Sequence, residues 1–525
     1  MGFVLYLTGL ISLYLLWLVL RRPSSRAHSQ PLPPGPKPLP IIGNVRDMPS
    51  PDSPDWLHWL KHKELYGPIS TVSVLGQRIV ILNDARIALE LLDKRSAIYS
   101  DRPELPFAQL CGMGETVLMQ RYGKRLQTYR KYIHREVGSA LHVARFNQTQ
   151  EIEVRRFLVR LLDAPQNLPG HARGLAGAFI LKVLYGYNMD YTAVDPLMDY
   201  IENVLERFIP ALVPGTWLVD AFPSLKHVPA WLPGAGFRRF AQGLKHDLAS
   251  LTDLPFRFAK DQIDAGSDTP SYVSSLFEEK ANSNAVTPGS RKDTDIKWSA
   301  VSLYFGGSDT TVSTITSFFL AMVLNPDVQR RAQEEINRVV GRDRLPGFAD
   351  RDKLPYINAM VKESLRWHPV TPMGIAHSLM EDDTYEGYHI PKGSIVMPNV
   401  WAFCHDPATY KDPMSFNPSR FLGDHPERDP QTMVFGFGRR ICPGRFLADS
   451  NIYLTIAMSL AAFEIGKPED EDIQARFLPG ITSHPAPFGM RVKVRDERYR
   501  EMVRSVLDEY PFDSKDADVV RGMLG

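Results

Sequence analysis

The chain has 525 residues, 44% hydrophobic and 23% charged, with a formal net charge of +1. This composition supports a large buried core, excludes extended disorder and gives no basis for nucleic-acid binding. Three cysteines, Cys111, Cys404 and Cys442, are too few for a disulfide framework or a four-cysteine zinc site, and a reducing compartment follows. No Gly-x4-Gly-Lys-Ser/Thr phosphate loop and no clear dinucleotide fingerprint is present, so sites for ATP or a nicotinamide cofactor are not expected.

Taken in chain order, the first feature is an uncharged apolar run from Phe3 to Leu20, close to the roughly 20 residues that span a bilayer. Arg21, Arg22 and Arg26 follow it and place the remainder on the cytoplasmic side. The run is long for a signal peptide, lacks a basic segment before it and has no obvious small-residue cleavage site. We therefore expect an uncleaved anchor over 1–22, a basic and proline-rich hinge over 23–44, and one large domain over 45–525. The stretch Pro31-Leu32-Pro33-Pro34-Gly35-Pro36-Lys37-Pro38 reads as a stiff, polyproline-like linker. Asn147-Gln148-Thr149 fits the glycosylation pattern, but a cytosolic domain would not be modified there.

Beyond the hinge, strand-like alternation clusters near 69–82 and 385–397, and most other periodic segments read as helices. Segment 280–294 is polar and reads as an exposed loop. A long helix is expected from about Asp295 to Leu324, stopped by Asn325-Pro326. Its centre reads Phe305-Gly306-Gly307-Ser308-Asp309-Thr310-Thr311. Two interior glycines cost about 1 kcal/mol each relative to alanine, and the Ser/Asp/Thr run competes for backbone hydrogen bonds. Together they predict a local distortion; close packing of helices at small residues is the plainer explanation. Glu363 and Arg366 stand at i and i+3 on one helix face, an arrangement usually exposed and worth under about 1 kcal/mol.

The most specific stretch is Phe435-Gly436-Phe437-Gly438-Arg439-Arg440-Ile441-Cys442-Pro443-Gly444, followed at once by a helical pattern from Arg445. Gly438 and Gly444 are expected to let the backbone approach a flat ligand. Cys442 precedes a helix N-terminus, which favours the thiolate, and Arg440 offers charge to an anionic group. An isolated cysteine in such a turn is more often a small buried hydrophobe, but the other motifs of the chain come in a matching order.

The stretch is similar at every fixed position to the haem-binding signature Phe-x-x-Gly-x-Arg-x-Cys-x-Gly of cytochromes P-450. The chain also resembles that family in its apolar N-terminus, proline hinge, Tyr99-Ser100-Asp101-Arg102-Pro103, long helix, Glu-x-x-Arg helix and Pro418-Ser419-Arg420-Phe421. Its flavour is that of fungal microsomal members. The resemblance implies a mainly α fold with small β-sheets, one large domain, and haem b held between the long helix and the cysteine loop. It implies Cys442 as axial thiolate, with Phe435, Gly438, Arg440 and Gly444 as further cofactor contacts. Gly306 and Gly307 would form the oxygen groove, Thr310 would hydrogen-bond the activated oxygen, and Asp309 would relay protons to it. Glu363, Arg366 and Arg420 would form a buried structural network behind the cysteine loop.

Two departures concern the haem propionates. Leu126-Gln127 stands where the family carries Trp-Arg, leaving Gln127 and Arg130 as candidate donors. Ser378 in Ile375-Ala376-His377-Ser378 replaces an arginine, leaving His377 beside Arg440. The resemblance further implies dioxygen as co-substrate and a separate NADPH–cytochrome P-450 reductase, since no flavin domain is present, with cytochrome b5 as an optional second donor. It implies a single-pass endoplasmic-reticulum location with the catalytic domain in the cytosol. The substrate pocket would draw on Pro103–Gly114, Phe208–Trp217, Leu303–Ser308, Val370–Gly374 and Ile481–Ser483. These are mostly apolar and suit a lipophilic terpenoid or other secondary metabolite, and Trp217–Gly236 could dip into the membrane to admit it. The rival activities on this fold are a haem-thiolate isomerase, dehydratase or peroxygenase, which need no reductase; a haem carrier is the non-enzymatic alternative.

Overall fold

The computed structural model describes residues 30–208, 216–278, 290–469 and 471–524. The expected anchor over 1–22, most of the polar loop at 280–294 and the middle of Phe208–Trp217 lie outside these residues. Among the described residues no single helix is long and apolar enough to cross a membrane.

Helices dominate, with three small sheets among the described residues. Strands β1 (Ile69–Val74) and β2 (Gln77–Leu82) form an antiparallel hairpin. Its two-residue turn, Leu75-Gly76, has positive φ at both positions, 49° and 87°, as a type I′ turn requires. β3 (His377–Ser378), β4 (Asp383–Tyr385), β5 (Tyr388–Ile390) and β6 (Ile395–Pro398) follow. The main sheet runs β1-β2-β6-β3, with β6 parallel to β2 (Ile79 opposite Ile395) and β3 antiparallel to β6. β4 and β5 pair across Glu386-Gly387, again with positive φ at both turn positions. β7 (Phe463–Gly466) and β8 (Arg491–Val494) pair antiparallel.

The core is built from α1 (Lys124–Val137), α2 (Asn147–Asp163), α3 (Leu168–Tyr185), α4 (Pro196–Phe208), α5 (Arg291–Gly307), α6 (Asp309–Leu324), α7 (Pro355–Trp367) and α8 (Arg445–Ala462). In α6, every residue from Val312 to Val323 is buried, as befits the central helix of a large bundle. Phe157 of α2, Leu175 of α3, Phe319 of α6, Met360 of α7 and Leu454 of α8 share one apolar cluster.

The long helix begins earlier than its periodicity suggests. Ser290 caps it by accepting from Asp293 N, so α5 starts at Arg291 rather than near Asp295. α5 and α6 are interrupted at Ser308, where φ and ψ are −78° and −73°. The expected distortion is therefore present. Beyond Asn325 the chain turns through 105° into the next helix, Pro326–Val339, because proline cannot continue the hydrogen-bond ladder.

The proline-rich stretch lies along β1: Pro34 O accepts from Thr71 N at 2.8 Å, Ile42 O from Leu75 N at 3.2 Å and Ser73 O from Asn44 N at 2.5 Å. A Cβ on Gly35 would sit 1.9 Å from Thr71 O, so only glycine fits there.

Candidate active site

Cys442 sits in the loop between the short helix Gln431–Val434 and α8. Its N–H donates to Phe435 O at 2.7 Å, which closes the loop around the sulfur. Burial pushes the Cys442 thiol up from its ordinary value, against the opposing pull of the Gly444 N–H, Arg130 and Arg445. The helix N-terminus alone thus does not make the thiolate; a coordinated metal ion would deprotonate the sulfur outright.

Gly438 and Gly444 of the loop have different reasons. Gly438 has φ +49°, and a Cβ on it would lie 2.6 Å from Leu92 O and from Ser96 Cβ. Its constraint comes from the neighbouring chain segment, not from a flat ligand as the sequence suggested. Gly444 and Gly306 have nothing within 4 Å of where a Cβ would stand. Phe435 packs against the cluster that contains α6 and α8. Leu447, in the first turn of α8, joins Leu303 and Tyr304 of α5 in a second cluster. The cysteine loop and the long helix thereby share both clusters, α6 in the first and α5 in the second.

At the break in the long helix, hydroxyl groups take over helix carbonyls. Thr310 Oγ1 donates to Gly306 O at 2.6 Å and Thr311 Oγ1 to Gly307 O at 2.7 Å. The carbonyls of both groove glycines are therefore tied by the side chains that follow them. Asp309 faces His484 across 3.1 Å. Burial would raise the Asp309 carboxyl, but the hydrogen bond and charge of His484, with Thr482 and Arg173, hold it below the usual carboxylate range.

Behind the loop, Glu363 accepts Arg366 Nε at 2.7 Å and Nη2 at 2.9 Å, a bidentate pair that is fully buried. Arg420 Nε reaches the same carboxylate at 3.2 Å, and Asn417 N at 2.6 Å. Arg366 also donates to Cys404 O, Pro413 O and Ser415 O. Every strong donor near the buried carboxylate is satisfied, which is what makes a charge network tolerable inside a core.

Of the expected propionate partners, Arg130, His377 and Arg440 are gathered around one site, and Gln127 stands apart from it. Gln127 is exposed, its amide 3.4 Å from Tyr122 Oη. The core face of α1 carries Leu126, Tyr129 and Ile133, which turns position 127 outward. Arg130 donates to Ile441 O at 3.0 Å in the cysteine loop. His377 is buried and donates Nδ1–H to Tyr99 O at 2.7 Å, and burial with the charge of Arg102 pushes it down to about 3. It is a neutral imidazole whose free nitrogen is an acceptor, not a cation.

The residue the sequence reading passed over is Arg102. It is 7% exposed and donates to Leu118 O, Ile375 O and Ala376 O. Arg440, 8% exposed, donates to Ser100 O, Val117 O and Gln120 O. Burial and mutual repulsion lower Arg102 to about 9; burial and Arg130 lower Arg440 to about 10. The nearest acid, Asp101, is bonded by Arg121 and Tyr122 N. Two buried guanidinium groups with carbonyl partners only suit a dianionic prosthetic group. The open space over Gly306 and Gly444 and the sulfur donor of Cys442 agree with the same group. The residues present fit haem b, with Arg102, Arg440 and Arg130 to hold its carboxylates. The signal was available in the arginine of Ser100-Asp101-Arg102-Pro103.

The apolar wall near the groove gathers Phe107, Phe208, Trp217 and Phe305 in one cluster, with the Phe107 and Trp217 rings stacked 4.2 Å apart. Ser483 N donates to Val370 O at 2.8 Å, which joins the tip at 481–483 to segment 370–374.

Comparison with known proteins agrees with this geometry. The family model for cytochrome P450 matches residues 33–492. The cytochrome P450 monooxygenase ppsD of Aspergillus oryzae is 44% identical over 498 residues, covering 93% of this chain and 94% of the relative. The cytochrome P450 monooxygenase claR of Ampulloclitocybe clavipes is 45% identical over 520 residues, covering 97% and 94%. The O-methylsterigmatocystin oxidoreductase of Aspergillus flavus is 40% identical over 512 residues, covering 97% and 96%. A sulfur-bearing loop, a broken central helix and matches across more than nine-tenths of the chain lead to one assignment: this chain belongs to the cytochrome P450 family and is a haem-thiolate monooxygenase.

Proposed function

We propose that this monooxygenase acts on a small lipophilic secondary metabolite, terpenoid or otherwise, and draws electrons from a separate NADPH–cytochrome P450 reductase. Haem b on the Cys442 thiolate supplies the reduction of dioxygen and the insertion of one oxygen atom into substrate. The chain's part is to place the substrate, exclude water and deliver protons. The apolar wall around Phe107, Trp217 and Phe305 supports a lipophilic substrate. The relative named for O-methylsterigmatocystin supports that compound as the first to try.

The observation that carries the oxygen-inserting reading over an isomerase or peroxygenase is the Asp309-Thr310 pair at the helix break, since reductive cleavage of dioxygen consumes two protons drawn from solvent, whereas a peroxygenase or isomerase can do without them. Thr310 holds its hydroxyl on Gly306 O, and Asp309 is kept ionised, ready to accept and pass on a proton.

We also propose a single-pass anchor over 1–22, an endoplasmic-reticulum location with a cytosolic catalytic domain, and a membrane-facing segment at Trp217–Gly236. Leu218 and Trp231, 72% and 77% exposed, support the last of these.

The test is the absorption spectrum of the reduced, carbon-monoxide-bound microsomal protein beside Cys442→Ser. A strongly red-shifted Soret band that is lost in the variant is expected. Substrate classes are then ranked by spin-state shift, and product formation must require both NADPH and reductase. Product formed from peroxide alone, with none from NADPH and reductase, would replace this reading with a peroxygenase.

A further inference from the structure

His484 lies 175 positions from Asp309, yet its Nε2 stands 3.1 Å from one carboxylate oxygen and 3.2 Å from the other. The turn that carries it is fastened on three sides. Ser313 Oγ donates to Ser483 O at 2.5 Å, Ser483 N donates to Val370 O at 2.8 Å, and the Ser483 hydroxyl bonds His368 Nε2 at 3.0 Å. Leu478 N donates to His484 O at 2.8 Å, closing the turn on itself. The imidazole is therefore set against the helix break by a rigid mount rather than by chance of a mobile loop. Its side chain is 30% exposed, so one nitrogen meets the carboxylate while the ring reaches solvent.

We propose that His484 is the positioning residue that refills Asp309 with protons from solvent. The proposal rests on the monooxygenase reading above. In each cycle, the Nε2–H of the imidazolium passes its proton to an Asp309 oxygen, leaving neutral imidazole. A water proton is then taken up at the ring, restoring the cation. The charged and titratable groups facing this pair are few. Arg173 of α3 acts on Asp309, with Glu202 of α4 at 3.8 Å from that arginine, and His368 lies beyond Ser483. Burial lowers His368 to about 3, so it stays neutral and does not compete as a proton donor.

The experiment compares His484→Gln with His484→Arg in the haem-loaded enzyme, because arginine keeps the ion pair but stays charged at neutral pH and cannot alternate between cation and neutral base. Both variants are expected to keep the reduced carbon-monoxide band. Both are expected to lose product per NADPH by roughly tenfold at unchanged KM and to show a larger solvent deuterium isotope effect on kcat. Wild-type coupling in His484→Arg would overturn the proposal and leave His484 as an electrostatic clamp only. The contact itself is read without turnover, from the thermal midpoints of His484→Gln, Asp309→Asn and the double variant. A double variant no less stable than the worse single is expected, and strictly additive losses would overturn the contact in solution. Absence of the red-shifted band in the wild type would instead overturn the monooxygenase reading, and the proposal with it.

Discussion

Arg102 and Arg440 share one buried site in which each donates only to main-chain carbonyls and neither bonds a carboxylate. We propose that this pair takes over the carboxylate-holding role for which α1 offers only Leu126-Gln127. Hydrogen bonds to a charged group are worth about 1.5–3 kcal/mol each. Arg102→Leu should therefore weaken haem retention by about 10- to 100-fold, read as haem per protein after gel filtration. Gln127→Ala, at an exposed position, should leave that ratio unchanged.

Glu363 holds two buried guanidinium groups at once. Glu363→Ala would leave Arg366 and Arg420 without their shared anion, at a cost of about 3–5 kcal/mol. The expected result is little soluble haem protein. Lys362→Ala, removing the half-exposed ion pair to Asp429, should shift the thermal midpoint by only a degree or two.

Thr310 Oγ1 is tied to Gly306 O, so its hydroxyl is held at the helix break in a fixed direction. Thr310→Ala should bind substrate with an unchanged spin-state shift while product per NADPH falls several-fold and peroxide release rises. Unchanged coupling would remove Thr310 from proton delivery.

His368 stacks on Phe477 at 3.5 Å and His405 on Trp401 at 3.9 Å. Burial lowers both to about 3, from an ordinary value near 6.5. The unfolded chain therefore binds protons between pH 6.5 and 3 that the folded chain does not. Stability from these groups is complete above pH 6.5 and declines as pH falls, by about 1.4 kcal/mol per unit for each histidine. His405→Gln should flatten the fall in thermal midpoint between pH 6.5 and 5.

Much of this site is legible in residues that are close in sequence. The cysteine loop, the glycine pair with Asp309-Thr310 and the Glu363–Arg366 pair are each local patterns. What sequence cannot supply is the meeting of distant segments. Arg102 stands in a local motif, Ser100-Asp101-Arg102-Pro103, but it is buried by carbonyls as far away as Ala376, 274 positions on, and only that meeting marks it as an anion site. Gly438 is held by Leu92 and Ser96, and Asp309 by His484, for the same reason. Gln127 could have been read better: the spacing of Leu126, Tyr129 and Ile133 already turns it away from the core.

The docking of residues 34–44 on β1 has a consequence for how the protein behaves when freed from its N-terminus. β1 is the last strand of its sheet, and its outward N–H and C=O groups are covered by this stretch. Pro31, Pro33, Pro34, Pro36, Pro38 and Pro40 carry no N–H, so the cover itself offers a poor template for another strand. It works as an edge guard. A soluble version beginning at Gln30 should remain monomeric, whereas one beginning at Val45 should self-associate through the bared strand, as light scattering would reveal.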